Sequence, residues 1–577
     1  MKFSVLALDY DGTIARDGRA DPAVLESIRE ARARTPQIVV LLVTGRILSD
    51  LRRVLADHGL FDAIVAENGA VLAFPNGRTR VLGRPPPPEF LNELRRLEVR
   101  FESGECVLQA DASAAAKILD AVRNLELPLM LAFNRGRVMI LPQGINKASG
   151  LREGLKTLRL SLHNCIAIGD GENDFELLEA CEIGVAVGWG SKSLCAIADD
   201  VLLGSGPAVV ADYIRHVSAH NKLPPTRTDR RRLTLGITGD GHPLVTAVHG
   251  RNILIAGDPR SGKSWITGLF CEQLILQGYC LCMIDPEGDY ATLESLPGVV
   301  RFGGEEPPPR LSDVARALRY PEVSIVIDLS AITHAEKLSY VNKLLPMLAA
   351  LRRSIGLPHW IVVDEAHYFL HQPDIGQRVD FELAAYLLIT YRPSQIHPEL
   401  LSAVESIIVT PLTDPWEVGA LTTLCGAAGA ESEWGNVLGG LAIDEAAVLP
   451  QGAGASSLPQ RFTIAQRITL HVRHRAKYFE VRMPDNRAFV FTCNGQPIAA
   501  QAHTLKEFVT IQDRLPAAAI EGHARRGDFS RWIAEVFADH LLADEIGKVE
   551  KQFRRGRVAN LSEALVKPIR ERYELTS

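Results

Sequence analysis

Two short segments of this chain have the residue types and spacing of phosphate-handling sites. The first, Asp9-Tyr10-Asp11-Gly12-Thr13, follows the apolar run Val5–Leu8. The second, Gly257 to Ser264, has the pattern Gly-x-x-x-x-Gly-Lys-Ser and follows the apolar run Asn252–Ala256. In doubly wound α/β domains, ligands bind at the carboxyl ends of the strands, which is where both segments lie. The sequence therefore predicts two enzymes in series.

In the first segment, Asp9 and Asp11 are two residues apart, directly after a predicted strand. Both side chains can then project from the carboxyl end of that strand into one cavity. Such a pair suits an aspartate nucleophile and a general acid/base, provided that a cation masks the repulsion between the two carboxylates.

Three later segments supply the remaining groups of such a site. Thr44 ends the apolar run Val39–Val43 and precedes Gly45-Arg46, so a hydroxyl and free backbone N–H groups are expected to hold a phosphoryl oxygen. Lys147 offers a fixed positive charge. The segment Gly169–Asp174 follows another apolar run and offers two more carboxylates, Asp170 and Asp174, for Mg²⁺.

This ordered set resembles the haloacid dehalogenase superfamily of phosphatases, in particular the Cof-like subfamily IIB, whose α/β cap is inserted after the threonine-bearing motif. The resemblance covers residues 1 to about 218 and includes Ala66-Glu67-Asn68-Gly69-Ala70 and Gly184-Val185-Ala186-Val187-Gly188. One departure is Trp189-Gly190, where that subfamily more often has Asn-Ala.

The resemblance implies a role for each residue of the set. Asp9 is the expected nucleophile, which forms an aspartyl-phosphate, and Asp11 is the expected acid and then base. Thr44 and Lys147 are expected to bind the phosphoryl group. The metal ligands implied for Mg²⁺ are Asp170, Asp9 and the carbonyl of Asp11, with support from Asp174. The short cap is typical of phosphatases that act on small phosphorylated metabolites, such as sugar phosphates or phosphoglycolate.

The second segment predicts a nucleotide-binding loop. In this pattern the backbone N–H groups and the following helix N-terminus cradle the phosphates of a nucleotide, and Gly257, Arg260, Ser261 and Gly262 belong to the loop. Lys263 is expected to reach the β- and γ-phosphates of ATP, and Ser264 to ligate Mg²⁺.

A second apolar strand, Trp360–Val363, ends in two acids about one hundred residues later. Asp364 suits the outer shell of the metal. Glu365 can orient the attacking water, which is the group that distinguishes a nucleotide hydrolase from a mere binder. These residues together predict ATP hydrolysis.

Finer motifs resemble the HerA–FtsK superfamily of P-loop ATPases over about residues 233 to 425. They are Asp285-Pro286-Glu287-Gly288-Asp289-Tyr290, Asp364-Glu365-Ala366-His367 and Thr390-Tyr391-Arg392-Pro393-Ser394. Members of that superfamily are commonly hexameric motors that move DNA or peptides, so the resemblance implies a homo-oligomer. Tyr391 stands where the pattern usually has Gln, and the β-barrel that usually precedes the motor is absent or reduced. Two roles stay open for Arg392: it completes a neighbour's nucleotide site, or it is structural.

The predicted fold class is α/β, with two doubly wound parallel-sheet domains and a small C-terminal α+β or helical domain. We expect a phosphatase domain over 1–218 with its cap at about 84–142, a linker over 219–232, a RecA-like ATPase core over 233–455 and an accessory domain over 456–577. The stretch from about Cys425 to Ser457 is rich in Gly and Ala and is expected to be loop or weak helix. Strand candidates follow at Arg467–Val472, Tyr478–Arg482 and Ala488–Thr492.

Composition narrows the remaining function classes. The chain has 577 residues and a net charge of -6, so it has no general attraction for nucleic acid or anionic membranes, and any such binding depends on a local patch. The basic runs Arg227–Arg232 and Lys551–Arg557 are expected to be solvated linker or helix faces. His471 and His474 are expected to be edge-strand histidines, since no carboxylate or cysteine lies at ligand spacing.

Nine scattered cysteines show neither a disulfide framework nor a metal spacing and favour a cytoplasmic location. Neither a signal peptide nor a membrane span of about 18 apolar residues is expected.

The leading hypothesis is a cytoplasmic fusion of a Mg²⁺-dependent phosphatase of a small phosphorylated substrate with an ATPase. Two alternatives stay open. In one, the chain is a regulatory ATPase whose N-terminal domain senses a phosphorylated ligand. In the other, an ATP-driven motor feeds phosphorylated nucleic-acid ends to the phosphatase, although the acidic balance does not support nucleic-acid binding.

Overall fold

A computed structural model describes most of the chain. The described residues are all except 35–37, 56, 135, 221, 228–229, 451–457, 470–482, 484–486, 494, 538–539 and 574–577. The strand candidate Tyr478–Arg482, His471 and His474 lie outside the described residues. Of the candidate Arg467–Val472, residues 467–469 are described and are not in a strand, and the rest lie outside.

The first domain is a parallel sheet covered by helices on both faces, with a smaller cap sheet. Its strands are β1 (Val5–Asp9), β2 (Ala15–Arg16), β3 (Arg19–Ala20), β4 (Val39–Val43), β5 (Ala63–Ala66), β6 (Val71–Ala73), β7 (Thr79–Val81), β8 (Phe101–Ser103), β9 (Leu108–Asp111), β10 (Leu129–Asn134), β11 (Arg137–Pro142), β12 (Cys165–Gly169), β13 (Ile183–Val187) and β14 (Asp200–Leu202). Its helices are α1 (Pro22–Arg32), α2 (Leu48–Val54), α3 (Pro88–Arg96), α4 (Ala115–Asn124), α5 (Lys147–Leu158), α6 (Phe175–Ala180), α7 (Lys192–Ile197) and α8 (Ala208–Ser218).

The main sheet of this domain has the order β14-β13-β12-β1-β4-β5-β6-β7, in which β6 and β7 form an antiparallel edge. Strands β12 and β13, and β1 up to its last residue Asp9, are apolar, and all three strands are buried, as strands in the middle of a helix-covered parallel sheet must be. The cap is an antiparallel sheet, β10-β11-β9-β8, backed by α3 and α4.

The central domain is built on one sheet of eleven strands. They are β15 (Arg232–Thr238), β16 (Pro243–Ala247), β17 (Ile253–Ala256), β18 (Leu281–Asp285), β19 (Val299–Gly303), β20 (Ser324–Asp328), β21 (Trp360–Val363), β22 (Tyr386–Thr390), β23 (Ser406–Val409), β24 (Glu445–Val448) and β25 (Gln460–Ile464). The helices are α9 (Lys263–Leu276), α10 (Leu311–Ala317), α11 (His334–Ile355), α12 (Ala366–Phe369), α13 (Ile375–Arg378), α14 (Pro398–Ser402), α15 (Pro415–Leu424) and α16 (Glu431–Gly439).

The strand order of the central sheet is β16-β15-β25-β24-β23-β17-β22-β21-β18-β20-β19. The strands from β23 to β19 are parallel, and the other four are antiparallel. The predicted α/β class is confirmed, but this sheet is mixed. The stretch from Cys425 to Ser457 is not only loop or weak helix, because β24 in it pairs with β23. The sheet also extends beyond the expected boundary at residue 455, since β25 lies between β15 and β24.

The C-terminal region is a hairpin packed against helices. Its elements are β26 (Phe489–Cys493), β27 (Gln496–Ala502), α17 (Leu505–Ile511), α18 (Ala517–Arg526), α19 (Asp528–Phe537), α20 (His540–Arg554) and α21 (Leu561–Tyr573). Phe529, Trp532, Ile533 and Phe537 on α19 are buried in its core, as their helical spacing predicts. No helix within the described ranges has the length and apolar character needed to cross a membrane.

The amino ends of the two large sheets meet at a buried polar cluster. The carboxylate of Glu182, which precedes β13, lies 2.8 Å from His163 Nδ1 and 3.0 Å from His249 Nδ1, and it accepts a 2.8 Å hydrogen bond from the hydroxyl of Tyr279. The rings of His163 and Tyr279 stack with their centroids 3.6 Å apart. His249 precedes β17 and Tyr279 precedes β18, so the cluster joins strands of both domains.

Glu182 is charged in this cluster. Burial opposes its ionisation, but the hydrogen bonds and charges of His163 and His249 hold the pKa of the Glu182 carboxyl well below its usual range. A buried carboxylate that accepts several hydrogen bonds fixes the groups around it, because losing any one of them leaves a charge without compensation.

The linker between the two domains is bound to the first domain. Arg230 makes a 2.6 Å ion pair with Asp199 and donates to the carbonyls of Leu178 and Cys181. Arg231 donates to carbonyls of the same turn. The expectation that the run Arg227–Arg232 is solvated is therefore wrong for these two arginines, which are tied to the first domain.

This arrangement directs the carboxyl ends of the two sheets away from each other. Strands such as β12 and β18 have five residues each, so at about 3.3 Å per residue each carboxyl end lies roughly 16 Å from this junction. The two predicted sites occupy those ends.

We expect Glu182→Ala to destabilise the full chain, because it leaves His163, His249 and Tyr279 buried without their acceptor. Breaking a buried pair costs about 3–5 kcal/mol, and for domains of this size the midpoint of thermal unfolding should fall by roughly 6–20 °C. The matched control is Lys156→Ala, which removes an exposed ion pair between the same two domains, Lys156 Nζ to Glu322 Oε1 at 3.6 Å. It should shift the midpoint by about 2 °C or less. Equal small shifts for both variants would contradict the role given to Glu182.

Candidate functional site

The first site lies where β1 and β12 end side by side. Asp9 is the last residue of β1, and Asp170 follows β12 directly, so the parallel pairing of these strands brings both carboxylates to one edge. Asp174 lies in the turn after Asp170. Its Oδ2 accepts the N–H groups of Asp170 and Gly171, each at 3.0 Å. Oxygens of Asp9, Asp170 and Asp174 lie within 4.8 Å of one another.

Lys147 is placed in the middle of this acidic group. Its Nζ is 2.6 Å from Asp9 Oδ1 and 2.5 Å from Asp174 Oδ1, with all three side chains buried. Lys147 opens α5, where Asn146 caps the helix. The turn before the helix is held by Gly69, whose φ is 104° and where a Cβ would lie 1.9 Å from the carbonyl oxygen of Asn146. Only glycine fits there.

The electrostatics of the site show why a cation belongs in it. Burial, and next the charge of Asp174, raise the pKa of Asp9 to about 7, against the attraction of Lys147. Burial opposes the charge of Lys147, yet Asp174 and Asp9 raise its pKa above its usual range, so it is an ammonium. One ammonium cannot balance three buried carboxylates. Clustered carboxylate oxygens are the ligands that Mg²⁺ takes, so the donor set fits a divalent cation.

Asp11 lies at the rim of the site and has a partner that the sequence did not indicate. Arg46 binds it with both Nε and Nη2, at 2.6 and 2.7 Å, and the guanidinium stands 5.3 Å from the centroid of the Tyr10 ring. A bidentate pair fixes the direction of the carboxylate as well as its charge. The two residues are 35 positions apart, and no local pattern links them.

Thr44 is buried beside this pair, but its surroundings differ from the expectation. Its N–H donates to the carbonyl of Val65, and the N–H of Arg46 donates to Thr44 Oγ1 at 3.1 Å. These two backbone N–H groups are therefore not free for a phosphoryl oxygen. The hydroxyl of Thr44 can still donate its proton to a phosphoryl oxygen.

The cap sheet lies directly over the site. Gln109 of β9 donates from Nε2 to the carbonyl of Gly45 at 2.6 Å, and β10 contacts the turn Glu172–Asp174. The Glu67 carboxylate accepts the N–H groups of residues 105, 106 and 107 of the cap at 2.9 to 3.2 Å. On the opposite side, Trp189 Nε1 donates to the carbonyl of Gly12 at 2.8 Å, so the departure at this position supports the Asp9–Thr13 turn.

The second site lies at the carboxyl end of the central sheet, around the loop from Gly257 to Ser264. A Cβ on Gly257 would lie 2.0 Å from Thr410 Oγ1, and Gly262 has a φ of 98° just before α9 begins. Arg260 also has a positive φ, of 65°, and Ser261 Oγ is 2.5 Å from Thr410 Oγ1. These contacts hold a tight loop at the N-terminus of a buried helix, which is the geometry that binds phosphate.

The side chains of this loop point inward. Lys263 Nζ donates to the carbonyls of Gly257 and Asp258, at 3.0 and 2.8 Å. Ser264 Oγ donates to Asp289 Oδ2 at 3.0 Å. Asp289 belongs to the turn after β18, so that turn lies against the loop.

The acids predicted after β21 are buried near the same edge. The N–H of Glu365 donates to Asp364 Oδ1 at 3.0 Å, and Glu365 Oε2 is 3.6 Å from His367 Nδ1. His367 Nδ1 is in turn 3.0 Å from the hydroxyl of Thr390. Burial, then the charges of Asp289, Asp364 and Asp328, raise the pKa of Asp285 well above its usual range. Asp289, Asp364 and Asp328 are therefore close enough to Asp285 to oppose its ionisation, and Asp289 also contacts the loop.

Arg392 is held within its own chain. Its side chain is 6% exposed, and Nη1 lies 2.7 Å from Asp414 Oδ2 and 3.5 Å from Glu417 Oε1. This geometry favours the structural alternative for Arg392, because a residue that completes a neighbour's site must reach out of its own subunit.

Comparison with known proteins concerns the first of these sites. Residues 6–94 and 95–214 match the haloacid dehalogenase-like hydrolases. The phosphoglycolate phosphatase of Methanothermobacter thermautotrophicus is 30% identical over 220 residues, which are 36% of this chain and 96% of that protein. The phosphoglycolate phosphatase of Methanosarcina acetivorans is 29% identical over 209 residues, 35% of this chain and 90% of that protein.

Through its N-terminal third, the chain belongs to the haloacid dehalogenase-like hydrolases. A solved structure of such a hydrolase from Bacteroides thetaiotaomicron is 19% identical, covers 37% of this chain and 100% of that one, and has a TM-score of 0.33. The haloacid dehalogenase-like domain is a phosphatase of phosphoric monoesters, and a divalent metal belongs at Asp9, Asp170 and Asp174. Asp9, Asp11, Thr44, Lys147, Asp170 and Asp174 lie at this one edge of the sheet. Arg46 and Glu67 are the neighbours whose contacts the sequence did not predict.

Proposed function

We propose that the chain carries two separate hydrolases: a Mg²⁺-dependent phosphatase that works through an aspartyl-phosphate, and an ATPase. The observation that carries the first part is the position of Asp9, which Lys147 holds at 2.6 Å beside two further acids. A buried carboxylate fixed by a lysine is oriented to attack the phosphorus of a phosphoryl group whose oxygens the same lysine attracts.

The phosphatase reaction has two steps. In the first, the Asp9 oxygen attacks phosphorus, the bond to the leaving oxygen breaks, and Asp11 gives that oxygen its proton. In the second, Asp11 takes a proton from water, whose oxygen attacks the phosphorus and releases phosphate and free Asp9. Arg46 positions the Asp11 side chain at the rim of the site, and one Asp11 oxygen must leave this pair to carry the proton. Thr44 Oγ1 and Lys147 hold the phosphoryl oxygens. Bound Mg²⁺ neutralises the charge of the carboxylates and the phosphoryl group.

The substrate of this site is a small phosphorylated compound. The cap sheet contacts both the Thr44 loop and the Glu172–Asp174 turn, which leaves limited room between cap and core. Since the relatives named above are phosphoglycolate phosphatases, phosphoglycolate is the first substrate to test.

For the central domain we propose ATP hydrolysis with Mg²⁺. Support comes from the loop Gly257–Ser264 at the head of α9 and from Lys263, whose Nζ already lies among the carbonyls of that loop. Ser264 would hold the metal, with Asp364 in its outer shell, and Glu365 would orient the attacking water. His367 and Thr390 would keep Glu365 in place through the contacts described above.

We also propose that this domain forms a homo-oligomer. Trp416 opens the first turn of α15 with 75% of its surface exposed, two residues after the Asp414 that pairs with Arg392. A large aromatic side chain in water beside a nucleotide loop is the kind of residue that subunit interfaces bury. Asp258 of the Gly257–Ser264 loop accepts hydrogen bonds from the N–H and the hydroxyl of Thr413. These bonds connect the segment that carries Trp416 to the loop.

For the phosphatase, we expect Asp9→Asn to lower the release of phosphate from an aryl phosphate by about 1,000-fold or more, since the nucleophile is lost. Asp11→Asn should slow turnover and let the phosphorylated enzyme accumulate, which acid quenching and mass spectrometry can detect. Circular dichroism checks that both variants are folded. Full activity of Asp9→Asn would show that Asp9 is not the nucleophile.

For the separation of the two sites, we expect Lys263→Ala to lose ATP binding, and Glu365→Gln to bind ATP but hydrolyse it about 100-fold more slowly or worse. Neither change should alter phosphatase turnover, because the two sites lie at opposite ends of the joined sheets. Calorimetric titration with ATP and parallel assays of both activities test this. Equal loss of both activities in either variant would contradict the proposal.

For assembly, we expect Glu365→Gln with ATP to scatter light as a homo-oligomer, because ATP bound near a subunit boundary stabilises the assembled form. The unmutated chain should then lose specific ATPase activity on dilution. A monodisperse monomer with ATP, together with dilution-independent activity, would leave a self-contained nucleotide site in each chain.

A further inference from the structure

The face of the cap sheet that is turned toward the core carries a side-chain amide above the phosphatase site. Along β10, Leu129 and Leu131 pack into the core of the cap, together with residues of α3 and α4. Because side chains alternate along a strand, Asn134 lies on the opposite face of the cap sheet. Strand β10 contacts the turn Glu172–Asp174 of the catalytic core. This face of the cap therefore lies over the acidic residues of the site.

The amide of Asn134 meets the core at Gly171, in the loop that follows β12. A Cβ on Gly171 would lie 3.4 Å from Asn134 Oδ1, 3.0 Å from Asn173 Oδ1 and 3.8 Å from Asp174 Oδ2. One small group at this point would thus reach both the cap amide and a carboxylate of the metal group. A leaving group that is held between cap and core therefore comes within reach of Asn134.

Two amide oxygens at this point have no hydrogen-bond partner among the described residues. They are Asn134 Oδ1 and Asn173 Oδ1, and both atoms are shielded from solvent. The side chain of Asn173 is held in place because its Nδ2 donates to Asn68 Oδ1 at 3.1 Å. A buried carbonyl oxygen without a donor is unfavourable, and a ligand that supplies the donor removes that penalty. The two oxygens therefore favour a ligand that brings a hydrogen-bond donor.

Beside Asn134, an apolar side chain covers the core. Met139 of β11 is buried, and a Cβ on Gly45 would lie 3.3 Å from Met139 Sδ and 3.3 Å from Asn173 Nδ2. Gln109 of β9 uses its Nε2 to hold the cap on the core, through the carbonyl of Gly45. Met139 thus offers a contact for the carbon atoms of a leaving group, and Asn134 offers an oxygen for its hydroxyl.

A carboxylate on the leaving group fits this surface less well. An ionised carboxylate has no proton to donate, so its oxygens would face the amide oxygens of Asn134 and Asn173. Arg137 lies two residues before Met139 on β11 and so on the same face of the cap sheet, but its Nη2 pairs with Glu102 Oε1 at 3.0 Å. A hydroxyl, in contrast, can donate to either amide oxygen.

We propose that Asn134 determines specificity: its amide oxygen accepts a hydrogen bond from a hydroxyl of the leaving group, so that the phosphatase takes phosphoric monoesters of polyols or sugars. This inference rests on the proposed phosphatase function and names the substrate class of that site. Asn134 forms no covalent bond and moves no proton. It orients the leaving group beside Met139.

The test measures kcat/KM of the full chain with Mg²⁺ for glycerol 1-phosphate, phosphoglycolate and p-nitrophenyl phosphate, an aryl phosphate without a hydroxyl. Each value is divided by that for p-nitrophenyl phosphate. In Asn134→Ala the ratio for glycerol 1-phosphate should fall about five- to tenfold, because one hydrogen bond is lost, and the ratio for phosphoglycolate should not fall. Asn134→Asp keeps an acceptor oxygen in place, so it should retain the ratio for glycerol 1-phosphate. The matched control Asn124→Ala, at the exposed end of cap helix α4, should leave both ratios unchanged.

The outcomes distinguish the inference from the function on which it rests. If Asn134→Ala lowers kcat/KM for all three substrates alike, Asn134 is only structural and the inference is wrong. It is also wrong if the ratio for glycerol 1-phosphate does not change. In both cases Asp9-dependent hydrolysis of p-nitrophenyl phosphate leaves the phosphatase in place. No Asp9-dependent hydrolysis of any of the three substrates would overturn both.

Discussion

The buried carboxylate of Glu182 is the contact on which the arrangement of this chain depends. It takes hydrogen bonds from the first domain through His163 and from the central domain through His249 and Tyr279. Every one of these residues stands just before a strand of a large sheet, so the cluster joins the sheets by their amino ends. In parallel α/β sheets the functional groups lie at the carboxyl ends of the strands. Because the sheets are joined by their amino ends, the two sites lie at opposite ends of the joined sheets.

In both domains the functional residues lie at the carboxyl ends of adjacent parallel strands. In the first domain, adjacent parallel strands end at Asp9 and Asp170, and a helix that begins at Lys147 brings a cation between their carboxylates. In the central domain, β17, β22, β21 and β18 lie side by side and end at the loop, Thr390, Asp364 and Asp285. The charged groups differ between the two sites: three carboxylates surround Lys147 in the first, whereas the second combines a helix N-terminus and Lys263 with several acids nearby. Both suit phosphate chemistry, by different routes.

Many of the strands, and the positions of both sites, were predictable from local sequence patterns. Fully apolar runs predicted the buried strands, and the acids and glycines after them predicted where the chemistry lies, because strand end and motif are neighbours in the chain. The unpredicted contacts join residues distant in sequence: Asp11 with Arg46, Glu182 with Tyr279, and Arg392 with Asp414. The antiparallel strands β24 and β25 were also missed, since β24 lies in a Gly- and Ala-rich stretch and its short run gains its stability only from pairing with β23 and β25.

We propose that one chain holds two metal-dependent phosphate sites at opposite ends of two joined sheets. Pulsed electron paramagnetic resonance on the full chain, loaded with Mn²⁺ and a non-hydrolysable ATP analogue, measures this directly. With the sheets joined end to end, we expect two Mn²⁺ ions per chain, roughly 30 Å apart, with the dipolar signal lost in Lys263→Ala. A single bound Mn²⁺ that Asp170→Ala removes, or two ions within about 15 Å, would contradict it.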